Sequence, residues 1–322
     1  SVSVTPIPSS YQKELGKNAY ADNRGTQWLE WVVRAKSSSG AEGITIANRF
    51  MRQGTVAKLL EFLKGALLDR EIDALLEIQN GVVTGPAPGM ERWYRRNGWL
   101  SILAFDLAGK TRGVSAIDLL GGKKHDSVPA YDTTLYFQDF LVPERGALQV
   151  ADEAAVAVAD GWKELKIKTG RGGRWMMPEA GMRRDIDVVL GVREAVGPDV
   201  KIYVDANFGY DNHLDLLDQF IGEVTPANIF WFEEMITHDV DGYRAMREMQ
   251  AKYGSKALLT CGEVDRNPIS EVFQDMIDDG LIDGYQPDVV SHGFLDWMEI
   301  ERIDGRAYDV GLYRHHVDPM KP

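Results

Sequence analysis

The sequence predicts an α/β protein, a (β/α)8-type barrel preceded by a smaller α+β domain, and three observations predict it. From Val128 onward seven short apolar runs alternate with amphipathic stretches, which is the rhythm of βα units. Acidic residues stand at the C-terminal ends of three successive runs: Asp205 in KIYVDAN, Glu233 in IFWFEE and Glu263 in ALLTCGE, 28 and 30 residues apart. Each gap fits one helix plus one strand. The first third of the chain lacks this alternation and reads as strands followed by helices.

In that first third, TQWLEWVVRAKSS alternates aromatic and aliphatic residues with polar ones, and the turn-rich SSSGAEG leads into ITIANRF. The pattern predicts an antiparallel hairpin. Leu59, Leu60, Leu63, Leu67 and Leu68 then recur at three- and four-residue intervals, as do Trp99, Leu103 and Leu107, and this spacing predicts two helices. The segment LLGGKKHDSVPAY, with Gly121, Gly122 and Pro129 around a basic pair, is the expected boundary. It divides the chain into an α+β domain over 1–127 and a barrel over 128–322.

The barrel strands expected in order are VPAYDT, KELKIKT, VKIYVDA, IFWFEE, ALLTCGE, GYQPDVV and YDVGLYRH. Between them run helices with start signals, such as Pro178 ahead of a stretch in which Ile186, Val189, Leu190 and Val196 share one side. No GxGxxG follows an early strand, which turns the reading away from a dinucleotide-binding fold. An eighth strand and a return to the first domain are expected beyond Pro322.

A net charge of −13 and a pI near 5.0 argue against general attraction to nucleic acid or an anionic membrane. No apolar stretch approaches the length of a membrane span, so a cytoplasmic homo-oligomer without nucleic-acid or membrane partners is expected. Cys261, the one cysteine, precludes an internal disulfide and reads as a buried small hydrophobe. No GxSxG is present, which disfavours a hydrolase of that type.

The chemistry begins with the three acids. Residues at the C-terminal ends of neighbouring barrel strands meet in space, and three converging carboxylates repel unless a cation lies between them. Oxygen-only ligation favours a hard ion, Mg²⁺ first and Mn²⁺ second. Lys166 and Lys168 alternate along LKIKTG, so both face the barrel interior. Two adjacent ammonium groups are expected to lower each other's pKa toward a range where a neutral amine accepts a proton. Asp288 ends QPDVV, and His315 or His316 ends the next run 27 or 28 residues later; a carboxylate on one ring nitrogen would make the imidazole a competent acid or base. Asn207 shares the strand face of Asp205 and is in reach of metal or substrate. Arg171, Arg174 and Trp175 in GRGGRWMM are candidates to bring positive charge to an anionic substrate.

Taken together, LKIKTG, VDAN, WFEEM, CGE, QPD and the late histidine resemble the enolase superfamily, specifically its mandelate-racemase-like branch. The likeness runs over nearly the whole chain. It implies a modified (β/α)7β TIM-like barrel under an N-terminal α+β capping domain, with one essential Mg²⁺ held by Asp205, Glu233 and Glu263. Lys168 matches the family's base and Lys166 its partner, while Asp288 and His315 match a second acid/base dyad. Capping-domain loops close over the mouth in this family, so Asn18, Tyr20, Arg24, Asn48 and Arg49 become candidates to touch the substrate.

The implied activity is removal of the α-proton from a carboxylate substrate. A β-hydroxyl as leaving group makes it an acid-sugar dehydratase; without one, the same two bases make a racemase or epimerase. A metal-binding barrel without catalysis has no use for opposed bases. DVVSHGF offers no lysine on the sixth strand, so the muconate-cycloisomerase branch recedes. His292 stands where many relatives have a Gly-Gly turn and reads as a loop or pocket residue.

Overall fold

The computed structural model describes residues 1–265, 270–307 and 311–312. The capping domain opens with β1 (Val2–Leu15), β2 (Gly25–Lys36) and β3 (Glu42–Ile46), an antiparallel sheet in that order. Val32 pairs with Ile46 across the expected hairpin, and β1 adds a third strand by pairing Val2 with Ala35 and Ser10 with Gln27. Pro6 and Pro8 hide this strand from a propensity reading, yet an edge strand tolerates proline because one of its sides needs no ladder hydrogen bonds.

Helices α1 (Asn48–Gln53) and α2 (Val56–Leu67) follow. Thr55 caps α2 by accepting from the Lys58 N–H. Leu59 and Leu63 of the expected leucine stripe are buried, whereas Leu68 ends the helix and is exposed. A second hairpin, β4 (Leu76–Gln79) and β5 (Val82–Pro86), turns through Asn80 and Gly81, both at positive φ. Asn-Gly between alternating apolar residues is its signature. The short α3 (Glu91–Tyr94), the long α4 (Trp99–Arg112) and α5 (Ala116–Leu119) complete the cap. Trp99, Leu103 and Leu107 of α4 are buried as the spacing predicts.

The barrel alternates β6 (Asp132–Leu135), α6 (Ala147–Ala159), β7 (Glu164–Lys168), α7 (Pro178–Val196), β8 (Lys201–Asp205), α8 (Leu214–Val224), β9 (Trp231–Glu233), α9 (Val240–Tyr253), β10 (Leu258–Cys261), α10 (Glu271–Asp278), β11 (Gly284–Tyr285), α11 (Val289–Ala307) and β12 (Gly311–Leu312). All seven strands are parallel and lie in chain order, the sheet of a (β/α) barrel. On α7, Ile186 and Val189 are buried, but Leu190 is 39% exposed; Val188 and Val192 take the inner face instead. Cys261 is buried in the barrel core. No helix among the described residues is long and apolar enough to cross a membrane.

Strand register stacks the barrel interior in layers. Lys166, Tyr203, Trp231 and Leu258 are level with one another, and Lys168, Asp205, Glu233 and Thr260 form the next layer toward the strand ends. Tyr203 and Trp231 stack at 3.9 Å, with the Tyr131 ring edge-on to both. Tyr203 and Trp231 are buried, and charges set on such a low-dielectric floor interact strongly.

Candidate active site

The strand ends bring the three acids together. Asp205, Glu233 and Glu263 each present a carboxylate oxygen, and these atoms lie within 4.8 Å of one another. Asp205 and Glu233 are buried and level in the sheet. Burial, then the Asp205 charge, pushes Glu233 up to about 8; burial also raises Glu263, with Asp205 acting the same way. Clustered acids under that strain, with oxygen donors only, fit a hard divalent cation.

Both lysines reach this cluster. Lys166 Nζ donates to Glu233 Oε1 and Oε2 at 3.0 and 3.1 Å and lies 3.3 Å from Asp205 Oδ2. Lys168 Nζ donates to the same Asp205 oxygen. With no ion among the acids, the lysine pKa values are raised rather than lowered. Burial pulls the Lys168 ammonium down and Lys166 pulls with it, but Asp205, Tyr136 and Glu263 outweigh them, and Lys168 is held above the ordinary lysine range. Burial also opposes the charge on Lys166, where Glu233, Tyr131 and Asp205 prevail. Carboxylates within hydrogen-bond reach win over a like charge on the same strand.

Sequence reasoning gives no role to three neighbours. Tyr136, just past β6, holds its ring 5.6 Å from Lys168 Nζ and 5.7 Å from the Arg24 guanidinium. Glu234 is buried beside Glu233 at φ 43°, and burial with the Glu263 charge holds its carboxyl well above the usual range. Its Oε1 lies 3.5 Å from His238 Nε2, and neither atom is hydrogen-bonded among the described residues. The doubled acid in WFEE was the available signal. Asn207 and Phe208 also sit at positive φ, 43° and 65°, so the backbone beyond two of the acids is in the left-handed region that few side chains adopt.

Asp288 lies at the start of α11, where its Oδ1 accepts the Val290 N–H at 3.1 Å. Its Oδ2 accepts from Ser291 Oγ at 2.6 Å and from Asn48 Nδ2 at 3.2 Å. Asn48 opens α1, so ANRFMRQ is a helix rather than a loop, and it ties the cap to the barrel acid. His315 and His316 lie outside the described residues. His292 stands in the first turn of α11, directly before the break in the helix at Gly293 (φ 69°); it is buried, with Nε2 3.0 Å from the Asp265 carbonyl and Nδ1 3.3 Å from Asp296 Oδ2.

The cap segment around Tyr20 lies over the strand ends. Asn207 donates its N–H to Asp205 Oδ1 at 3.0 Å and accepts from Asn18 Nδ2 at 3.2 Å. Trp175 donates to the Asn18 carbonyl at 2.7 Å, and Arg174 donates to the Tyr20 carbonyl. Arg174 is exposed beside the cap segment, with its guanidinium 4.5 Å from the Trp175 ring. Arg24 Nη2 donates to the Tyr20 hydroxyl at 3.2 Å, and Tyr20 is 51% exposed. Arg171 brings no charge to the mouth: it is fully buried between Asp139 and Asp185, at 2.6 and 2.7 Å.

The chain is similar to known proteins. The chain is 33% identical over 180 residues to D-galactarolactone cycloisomerase from Agrobacterium fabrum, which covers 52% of the chain and 43% of that protein. It is 27% identical over 241 residues to D-gluconate dehydratase from Thermoproteus tenax, covering 70% of the chain and 45% of that protein. The chain thus spans under half the length of these curated relatives. A mutant of galacturonate dehydratase from Geobacillus sp., crystallised with Mg, superposes with a TM-score of 0.79 at 25% identity, covering 98% of the chain and 76% of that structure. A family model described as enolase C-terminal domain-like matches residues 149–320, and with the barrel, the cap and the acid cluster it establishes that the chain belongs to the enolase superfamily, in its mandelate-racemase-like branch.

Proposed function

We propose that the protein is a Mg²⁺-dependent dehydratase of acid sugars, with Mn²⁺ as the second-choice ion. The observation that carries this reading is the convergence of Asp205, Glu233 and Glu263 beside Lys168 at the strand ends. The three carboxylates would hold the ion. Bound there, a divalent cation supplies positive charge where negative charge builds on the substrate carboxylate, and it takes over carboxylate charge that the lysines otherwise neutralise.

The chain's own residues do the rest. Once the acids hold an ion in place of the Lys168 ammonium, Lys168 Nζ in its neutral form accepts the α-proton as the C–H bond breaks, and Lys166 beside it keeps the local charge positive. The electron pair left on the α-carbon expels the β-hydroxyl, which leaves as water with a proton from the Asp288–His315 dyad. The resulting enol tautomerises to a 2-keto-3-deoxy acid. Tyr20, Arg24 and Asn48 from the cap, with Asn207 from the barrel, border the substrate's distal end. Similarity to the N-succinyl-L-Arg/Lys racemase of Bacillus cereus, 28% identical over 149 residues, supports a second reading, in which the same bases act without loss of water as a racemase or epimerase.

A panel of aldonates and aldarates with Mg²⁺ tests both. Formation of 2-keto acid supports dehydration, and solvent deuterium at the α-carbon without keto acid supports the isomerase reading. Glu233→Gln is expected to abolish Mg²⁺ binding by calorimetry while circular dichroism stays unchanged. Retained binding by that variant would refute the ligand set.

A further inference from the structure

The barrel wall remote from the lysines carries buried polar groups without hydrogen-bond partners among the described residues. Gln286 follows β11, four strands along the sheet from β7. Thr260 is level with Glu233 on one side and Gly284 on the other. Tyr285 turns outward, where its ring meets Phe273 of α10 at 5.3 Å; by strand alternation Gly284 and Gln286 turn inward. Gln286 therefore stands one layer above Thr260, toward the mouth.

Its backbone is anchored, since the N–H donates to the Cys261 carbonyl at 2.7 Å. The side chain is not. Gln286 is 0% exposed, and among the described residues neither Oε1 nor Nε2 has a hydrogen-bond partner; the same holds for Thr260 Oγ1. A buried amide without partners destabilises the fold, and an apolar residue of that size would serve packing better. A residue kept at such a cost in a site implies a partner that arrives from outside.

An amide offers a donor and an acceptor, and so does a hydroxyl. We infer that Gln286, with Thr260 below it, determines specificity by reading a hydroxyl on the substrate chain, so that the protein selects polyhydroxylated acids over hydroxy acids with alkyl chains. This inference rests on the carboxylate-substrate reading proposed above and narrows it.

The test compares D-gluconate with 2-hydroxyhexanoate, six-carbon acids that share the carboxylate and 2-hydroxyl and differ in the hydroxyls beyond. Binding of each is measured by calorimetry with Mg²⁺ for the wild type, Gln286→Met and Thr260→Val, and each protein is melted without ligand. Gln286→Met is expected to weaken gluconate binding roughly tenfold or more, to leave 2-hydroxyhexanoate unchanged, and to keep or raise the melting temperature. Thr260→Val is expected to act in the same direction and serves if Gln286→Met does not fold. A lowered melting temperature with equal weakening of both acids makes these residues structural and overturns the inference, as does a gluconate preference that both substitutions leave intact. Binding of neither acid by the wild type overturns the carboxylate reading itself.

Discussion

His238 sits among aromatic rings, with Phe208 at 5.1 Å and Phe273 at 4.7 Å, and burial lowers its pKa from 6.5 to about 4. In the unfolded chain the imidazole takes a proton near 6.5; in the fold it resists until about 4. Its contribution is therefore present above pH 6.5 and lost as the pH falls from there through 4. The span corresponds to roughly 3 kcal/mol. Urea unfolding from pH 7 to 4 is expected to show His238→Phe losing that much less stability than the wild type; parallel curves would show that His238 does not titrate in this way. The lysines make the complementary point. Alternation along LKIKTG sufficed to place both inside the barrel, because strand geometry has a period of two. Their charge was not legible, because it is set by carboxylates 37 and 67 residues away.

Among the elements, long periodic helices and the apolar barrel strands were readable, and the strands lacking a clean pattern were not. β1 carries two prolines that only an edge position accommodates, and β4–β5 announces itself only by Asn80-Gly81. The contact between α4 and α11 depends on glycines that no periodicity reveals. A Cβ on Gly98 would lie 1.7 Å from the His292 carbonyl oxygen, and one on Gly293, at φ 69°, would lie 1.8 Å from the Gly98 carbonyl oxygen. Backbone meets backbone there, so neither side can yield by turning a rotamer. Gly98→Ala is expected to cost at least about 2 kcal/mol, read as a lower urea midpoint. Gly109→Ala, where a Cβ would meet the Val114 carbonyl at 2.7 Å, tests whether such crowding matters away from this contact. An unchanged midpoint for Gly98→Ala would mean that the two helices separate easily.

At the scale of the whole molecule, the cap does not complete its own core. Val290 of α11 is buried with the cap residues, and Val289, Phe294, Leu295 and Met298 pack against them; Phe105 and Phe294 meet edge to face at 5.4 Å. A fragment of residues 1–127 is accordingly expected to bind a hydrophobic dye and to unfold without a cooperative urea transition, whereas the whole chain unfolds cooperatively. A sharp transition for the isolated fragment would show that the cap is self-sufficient. Residue types and their spacing determined the barrel class, the three converging acids and the inward lysines, because each follows from a local period repeated along the chain. Tertiary structure alone decided that the carboxylates, with no ion among them, hold the lysines charged, that Arg171 is consumed inside the wall, that Asn48 reaches Asp288, and that the Gln286 amide is buried with no hydrogen-bond partner among the described residues. Those outcomes depend on which distant groups come within hydrogen-bond reach, and burial then fixes how strongly they act.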